Sequence, residues 1–195
     1  VEAMMTTRWR PNFDPNYLYF VTTKAVGYRH VFRRDIIKRI IVDTMHTATI
    51  LKQSTLYAFV IMPNHIHALL QCTSQNPPGD WVRILKTVSA RLIIRFYKVE
   101  KNYAALEWLT SQVKRSDRQS HKVWEDNYLA KAVVTESFML QKLKYIHNNP
   151  MQPHWTLSAT PIAYPWSSAA YYEGGACLIP VKSVFDLLEQ CGPPE

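Results

Sequence analysis

STLYAFVIMPNHIHALLQC, residues 54–72, is the stretch from which the architecture of this chain unfolds. Both halves are rich in β-branched, aromatic and aliphatic residues, and they meet at the turn dipeptide Pro63-Asn64. The pattern predicts two strands, over 54–62 and 65–72, joined tightly. Alternate side chains of a strand share a face. His65 and His67 therefore project to one side, while Ile66, Ala68 and Leu70 point to the other. Two such imidazoles can converge on one divalent metal. Read alone, they are equally two polar residues on a solvated face.

Toward the N-terminus, LYFVTTKAV (18–26) reads as another strand. Arg34 to Met45 carries Ile36, Ile37, Ile40, Ile41 and Met45 at helical spacing. Toward the C-terminus, QNPPGD (75–80) is a loop whose Asp80 can cap a helix from about Trp81 to Lys98. That helix sets Leu85, Val88, Leu92 and Phe96 on one side and Arg83, Lys86, Arg91, Arg95 and Lys98 on the other. VKRSDRQSHK (113–122) reads as loop, within a variable connection over 99–122, and VWEDNYLAKAVV (123–134) reads as extended. Thr135 or Ser137 can cap a helix through Met139, Leu140, Leu143 and Ile146, which Pro150 blocks from continuing. An irregular region around YPWSS and a short helix over 181–191 follow. The order strand, helix, strand, strand, helix, strand, helix predicts an α+β fold: a ferredoxin-like sandwich, an antiparallel sheet with helices packed on one face. Residues 1–150 read as the catalytic domain and 151–195 as a C-terminal extension packed on it.

The chain has 195 residues, enough for one domain with a real core, and 23 Lys and Arg against 15 Asp and Glu give it a net charge of +8. A polyanionic partner is expected, nucleic acid ahead of an anionic membrane surface. Cys72, Cys177 and Cys191 have neither disulfide-framework nor zinc-knuckle spacing, which fits a reducing, cytoplasmic setting. Apolar runs such as AFVIM (58–62) fall far short of a membrane span, and the first residues lack a signal-peptide pattern. Val1-Glu2-Ala3 ahead of Met4 is compatible with a cloning remnant.

KYIHNNP (144–150) holds the second constellation. Tyr145 and Asn149, four residues apart, share one helical face, so a cation held partly by the Asn149 carboxamide oxygen sits near the Tyr145 hydroxyl. A divalent cation favours the phenolate and polarises a phosphoryl oxygen. The alternative is a core tyrosine and a capping asparagine before proline. Arg83, Lys86, Arg91, Arg95, Lys142 and Lys144 are candidates to neutralise phosphates, and Trp81, Trp124, Tyr128 and Trp166 to stack on unpaired bases, although each is equally readable as solvated surface or core.

VIMPNHIHALLQ (60–71), KYIHNNP (144–150) and YPWSSA (164–169), in this order, resemble the REP-associated tyrosine transposases, relatives of the IS200/IS605 single-tyrosine transposases. Weaker agreement extends over most of the chain. The resemblance implies a His-hydrophobic-His endonuclease that cuts single-stranded DNA carrying hairpins. His65 and His67 match its metal-binding histidines, Tyr145 its nucleophile, and Asn149 its amide-bearing third ligand. It implies a 5′-phosphotyrosine link, a free 3′-hydroxyl, rejoining without ATP, and either a homodimer or a monomer. Two imidazoles and an amide oxygen suit Mg2+ or Mn2+. Beyond Pro150 the chain departs from the family pattern, reading MQPHW (151–155) where many relatives continue with a basic residue and small apolar ones. A non-catalytic nucleic-acid-binding module derived from a transposase is the alternative, although it gives no reason to keep His65, His67, Tyr145 and Asn149 together.

Overall fold

The computed structural model describes residues 13–114 and 119–190. Arg115, Arg118 and Asp117 of the basic loop, Cys191 and Val1–Ala3 lie outside them. The expected hairpin is present. Strands β2 (Thr55–Ile61) and β3 (His65–Gln71) are antiparallel, and the Met62 N–H donates to the His65 carbonyl across the turn. Strand β1 (Leu18–Ala25) pairs antiparallel with the other edge of β3, and β4 (Trp124–Val133) with β1, giving the order β2-β3-β1-β4. This is the ferredoxin-like order, with helices α1 (Asp35–Leu51) and α2 (Pro78–Val99) between β1 and β2 and between β3 and β4.

The α+β antiparallel architecture is as expected, but its helices occupy both faces. One core joins Tyr19, Val21, Ile66, Ala68 and Leu70 of the sheet to Ile37, Ile41 and Met45 of α1 and to Trp81, Leu85 and Ile93 of α2. The opposite face packs Leu18, Phe20, Val60 and Leu69 against Met139, Leu143 and Ile146 of α4 (Glu136–Asn148). The reason lies in the strands. Leu18 and Phe20 of β1, Val60 of β2 and Leu69 of β3 put apolar side chains on the second face as well, beside the two histidines, and those side chains require cover.

The caps set the helix boundaries. Helix α2 starts at Pro78, whose missing N–H costs nothing in a first turn, so Asp80 lies inside that turn and pairs with Arg83. Thr135, not Ser137, caps α4, accepting from the Phe138 N–H. Part of the presumed loop over 99–122 is a helix, α3 (Tyr103–Ser111): the Asn102 side chain accepts from the Ala105 N–H, and Leu106 and Leu109 are buried. Pro150 does not send the chain straight out of α4, because Asn149–Met151 continue as one 3-10 turn in which proline is tolerated.

The C-terminal extension covers the exposed edge of β2. The Ile61 N–H donates to the Trp166 carbonyl, the Ser168 N–H to the Phe59 carbonyl, and the Lys182 N–H to the Leu56 carbonyl. Tyr164 and Val184 are buried in the α4-side core, and two short helices, α5 (Ala169–Tyr172) and α6 (Phe185–Gln190), complete the segment. At the centre of this seam the Ser168 hydroxyl accepts from the Phe59 N–H (3.0 Å) and shares a hydrogen bond with His147 Nε2 of α4 (2.9 Å). Ser168→Ala strands both buried partners and is expected to cost about 1–3 kcal/mol, read as a lower urea midpoint with unchanged slope.

Candidate active site

The two histidines stand on the α4 side of β3, the face opposite Ile66, Ala68 and Leu70. Their rings are 4.7 Å apart at the centroids. His67 lies directly across from Thr22 of β1, and the Thr22 hydroxyl and His67 Nδ1 are 2.7 Å apart. That contact occupies Nδ1 and leaves Nε2 buried with no hydrogen-bond partner. His65 is fixed by the turn before it. The Asn64 amide nitrogen donates to the Tyr28 carbonyl (3.1 Å), which sets the amide's orientation, so Asn64 Oδ1 accepts from His65 Nδ1–H (2.6 Å). His65 Nε2 then carries the lone pair.

Helix α4 brings KYIHNNP over these rings. The Tyr145 ring lies 5.1 Å from His67 and 5.9 Å from Phe20, while Phe20 stacks on His67 at 5.1 Å and 21°. Tyr145 is 39% exposed, so its ring is held by aromatic neighbours without being sealed from solvent. Asn149, one helical turn on, is only 3% exposed, and its Oδ1 also has no hydrogen-bond partner. Its carboxamide lies beside His65, close enough to favour the protonated ring slightly, yet without a well-formed bond. Buried polar atoms without partners are costly, and two of them this close to one tyrosine require an explanation. His147, two residues before Asn149 on the same helix, is committed to Ser168 on the other side of α4.

His65, His67, Tyr145, Phe20 and Thr22 share a cavity of about 1040 Å³ whose wall also includes Lys24, Glu125, Lys142, Tyr128, His154 and Trp155, with Asn149 buried outside that wall. The Lys142 ammonium lies over the rings of Phe20 (4.6 Å) and Tyr145 (5.4 Å). Burial, with the positive charge of Lys24 nearby, pushes His65 down to about 4 despite the opposing Asn149 amide, and burial next to His65, Lys142 and Lys24 holds His67 well below the usual range. Both imidazoles are therefore neutral at pH 7. Among the described residues no three His, Cys, Asp or Glu side chains gather where they could share a metal.

A scan against protein-family models matches residues 17–149 to the family described as "Transposase IS200 like". The chain belongs to the IS200-like transposase family. It is thus a DNA-cleaving transposase by kinship, as the motifs imply. Among solved structures, a REP-associated tyrosine transposase bound to a REP hairpin superimposes with a TM-score of 0.64 at 13% identity, over 91% of this chain and 93% of that one. At that identity the likeness shows the shared fold. A Deinococcus radiodurans protein described as a candidate transposase is 23% identical over 72% of this chain and 95% of that one, with a TM-score of 0.45. Comparison with curated proteins gives no match.

Other expected DNA contacts of this transposase fall elsewhere. Trp124 is 5% exposed, packs on Phe32 and donates from Nε1 to Ser89, so it is core and not a stacking surface. Trp81 is fully buried, donating to Thr49. Lys86 turns back onto the protein, donating to the carbonyls of Glu125, Asp126 and Asn127, and burial lowers it to about 8. Arg83, Arg91 and Arg95 are exposed on α2, which packs on the sheet face away from the histidines, and Lys144 is exposed on α4 without lining the cavity. Trp166 is half-buried, with the Lys38 ammonium 5.5 Å over its ring. Of the nominated residues only Lys142 and Tyr128 join the catalytic candidates in the cavity wall. Sequence reasoning missed Phe20, Thr22 and Lys24, although their alternation along β1 is the signal that places them on one face. Asn64 was visible only as a turn residue. Among the described residues no helix is long and apolar enough to cross a membrane, and Cys72 and Cys177 are free thiols.

His147 is likewise pushed down by burial, to about 4. A group depressed on folding stays neutral in the native state while the unfolded chain takes up its proton near pH 6.5, so stability is full above that value and falls as pH drops toward 4. His147 alone is expected to lose roughly 2 kcal/mol between pH 7 and pH 5, with His65 and His67 adding in the same direction. Urea unfolding at the two pH values checks this, and His147→Asn is expected to flatten the dependence.

Proposed function

We propose that this transposase cleaves and rejoins single-stranded DNA at hairpin-flanked sites through Tyr145. The observation that carries the proposal is the pair of buried, partnerless polar atoms, His67 Nε2 and Asn149 Oδ1, on the two elements that meet at Tyr145. In the tautomer whose Nδ1–H donates to Thr22, His67 Nε2 carries a lone pair, and with His65 Nε2 and Asn149 Oδ1 it makes a neutral donor set at the cavity floor that fits Mg2+ or Mn2+ completed by water and a phosphate oxygen. Such a cation, when bound, supplies Lewis-acid polarisation of the phosphodiester and charge stabilisation near the phenol.

The chain's own residues do the rest. Thr22 and Asn64 hold the two rings by Nδ1, fixing both Nε2 atoms toward the cavity. Phe20 and His67 fix the plane from which Tyr145 Oη reaches a phosphorus atom. Attack by Oη forms the phosphotyrosyl bond and breaks the P–O3′ bond, and the 3′-oxygen departs and takes up a proton. The reverse attack by a 3′-hydroxyl restores the phosphodiester and frees Tyr145, so no nucleotide cofactor is consumed. Lys142 and Lys24 supply positive charge along the wall where the strand backbone passes. A hairpin substrate is supported by the solved transposase of the same fold, which holds a REP hairpin.

Incubation with single-stranded oligonucleotides carrying the hairpins that flank the gene, in Mg2+ or Mn2+, is expected to give a covalent adduct stable on denaturing gels. Tyr145→Phe is expected to abolish the adduct while preserving the melting curve, and a persisting adduct in that variant removes Tyr145 as nucleophile. Retained binding with no cleavage of any hairpin by the unaltered chain supports instead the binding-only module. Thr22→Val leaves both histidines in place but frees Nδ1 of His67. It is expected to weaken metal affinity by about 10–100-fold in titration calorimetry.

A further inference from the structure

The cavity is larger than a cation and one phosphodiester require, at about 1040 Å³. Part of its wall comes from residues 154 and 155, beyond the 17–149 segment that carries the family match. Trp155 reaches the site because the chain folds back sharply after α4. The Trp155 and Thr156 N–H groups both donate to the Gln152 carbonyl (2.8 and 3.0 Å), and the Leu157 N–H donates to the Pro150 carbonyl (2.9 Å). The turn requires Thr156 at φ +45°, a left-handed conformation that a β-branched residue rarely adopts. Strain of this kind persists where the surrounding structure fixes a conformation for use.

The strained turn sets an indole against three imidazoles: His30 at 5.3 Å, His154 at 5.4 Å and the candidate ligand His65 at 5.9 Å, each tilted by 46–49°. The tilted rings grip the half-buried indole without any of them lying parallel on it. An aromatic ring in the wall of a cavity that also carries Lys24 and Lys142, one ring away from a metal-ligand candidate, has the properties of a base-stacking platform.

We propose that Trp155 stacks on one unpaired nucleobase next to the scissile phosphodiester and thereby sets which phosphate reaches Tyr145. This rests on the strand-transfer reading above and adds a positioning residue that the His-Tyr-Asn set lacks. Stacking accepts any base, so Trp155 fixes position along the strand and not sequence.

The test is an abasic scan by fluorescence anisotropy. A labelled DNA hairpin with a 12-nucleotide dT tail, and the same hairpin with one abasic site at each tail position in turn, are titrated in Mg2+ with the full chain carrying Tyr145→Phe, so that the stem fixes the register and no covalent capture intervenes. One abasic position is expected to weaken binding by about tenfold. Adding Trp155→Ala or Trp155→Leu is expected to weaken binding of the intact hairpin by the same factor and to erase sensitivity at that position alone, while Trp155→Phe keeps most of both. Leucine retains apolar bulk beneath His30 without a π face, so it separates stacking from packing. Independent, multiplying effects of the abasic site and the leucine variant, unchanged affinity of that variant, or a scan with no sensitive position overturns the proposal. An adduct formed by the unaltered chain without such coupling leaves strand transfer standing and removes the platform; coupling without any adduct does the reverse.

Discussion

The period of two along β3 is the constraint on which the rest of the molecule depends. Because β3 is a central strand, paired with β2 on one side and β1 on the other, both of its faces are committed. Ile66, Ala68 and Leu70 enter the core beneath α1 and α2, while His65 and His67 stand on the α4 side. A slip of one residue would bury two imidazoles under α1 and α2 and turn three aliphatic side chains into the site. The register Thr22↔His67 does more than pair backbones, since it gives His67 Nδ1 its hydroxyl partner and so aims Nε2. Fold and chemistry are thus set by one alignment.

A second linkage joins the three motifs that lie far apart in sequence. His147 sits midway between Tyr145 and Asn149, and its bond to Ser168 ties α4 to the segment lining the β2 edge. The Ser168 hydroxyl in turn accepts from Phe59 on β2, whose chain leads directly into the histidine turn. Rotation of α4 about its axis is therefore fixed from the side away from the cavity, through His147 and not through the Asn149 carboxamide oxygen. KYIHNNP thus holds a positioning residue, His147, between the proposed nucleophile Tyr145 and the proposed ligand Asn149.

Charge on this transposase is divided between the two faces. Lys24 and Lys142 flank the histidines, whereas Arg83, Arg91 and Arg95 lie on the helix that covers the other face. Helical periodicity shows which residues of α2 point outward, but not which side of the sheet the helix covers, so proximity to the site was not legible from that segment. Lys86 and Trp124 show the same limit. A lysine in a basic stripe reads as a phosphate contact until β4 places three carbonyls within its reach, and a tryptophan beside a charged segment reads as a stacking surface until Phe32 and Ser89 enclose it.

The sequence by itself determined what depends on local periodicity and local chemistry: the hairpin over 54–72, the shared face of His65 and His67, the shared face of Tyr145 and Asn149, and the order of elements that yields a ferredoxin-like sheet. These follow from bond geometry, since residues two apart in a strand or four apart in a helix are neighbours whatever surrounds them. Only the tertiary structure decided that α4 covers the face bearing the histidines, that Thr22 and Asn64 orient their rings, and that a strained turn returns Trp155 to the cavity. Each joins segments separated in the chain or depends on a backbone conformation that side-chain identity does not announce. They arise from covering both faces of one sheet at once, a condition on the whole molecule that no window of sequence contains.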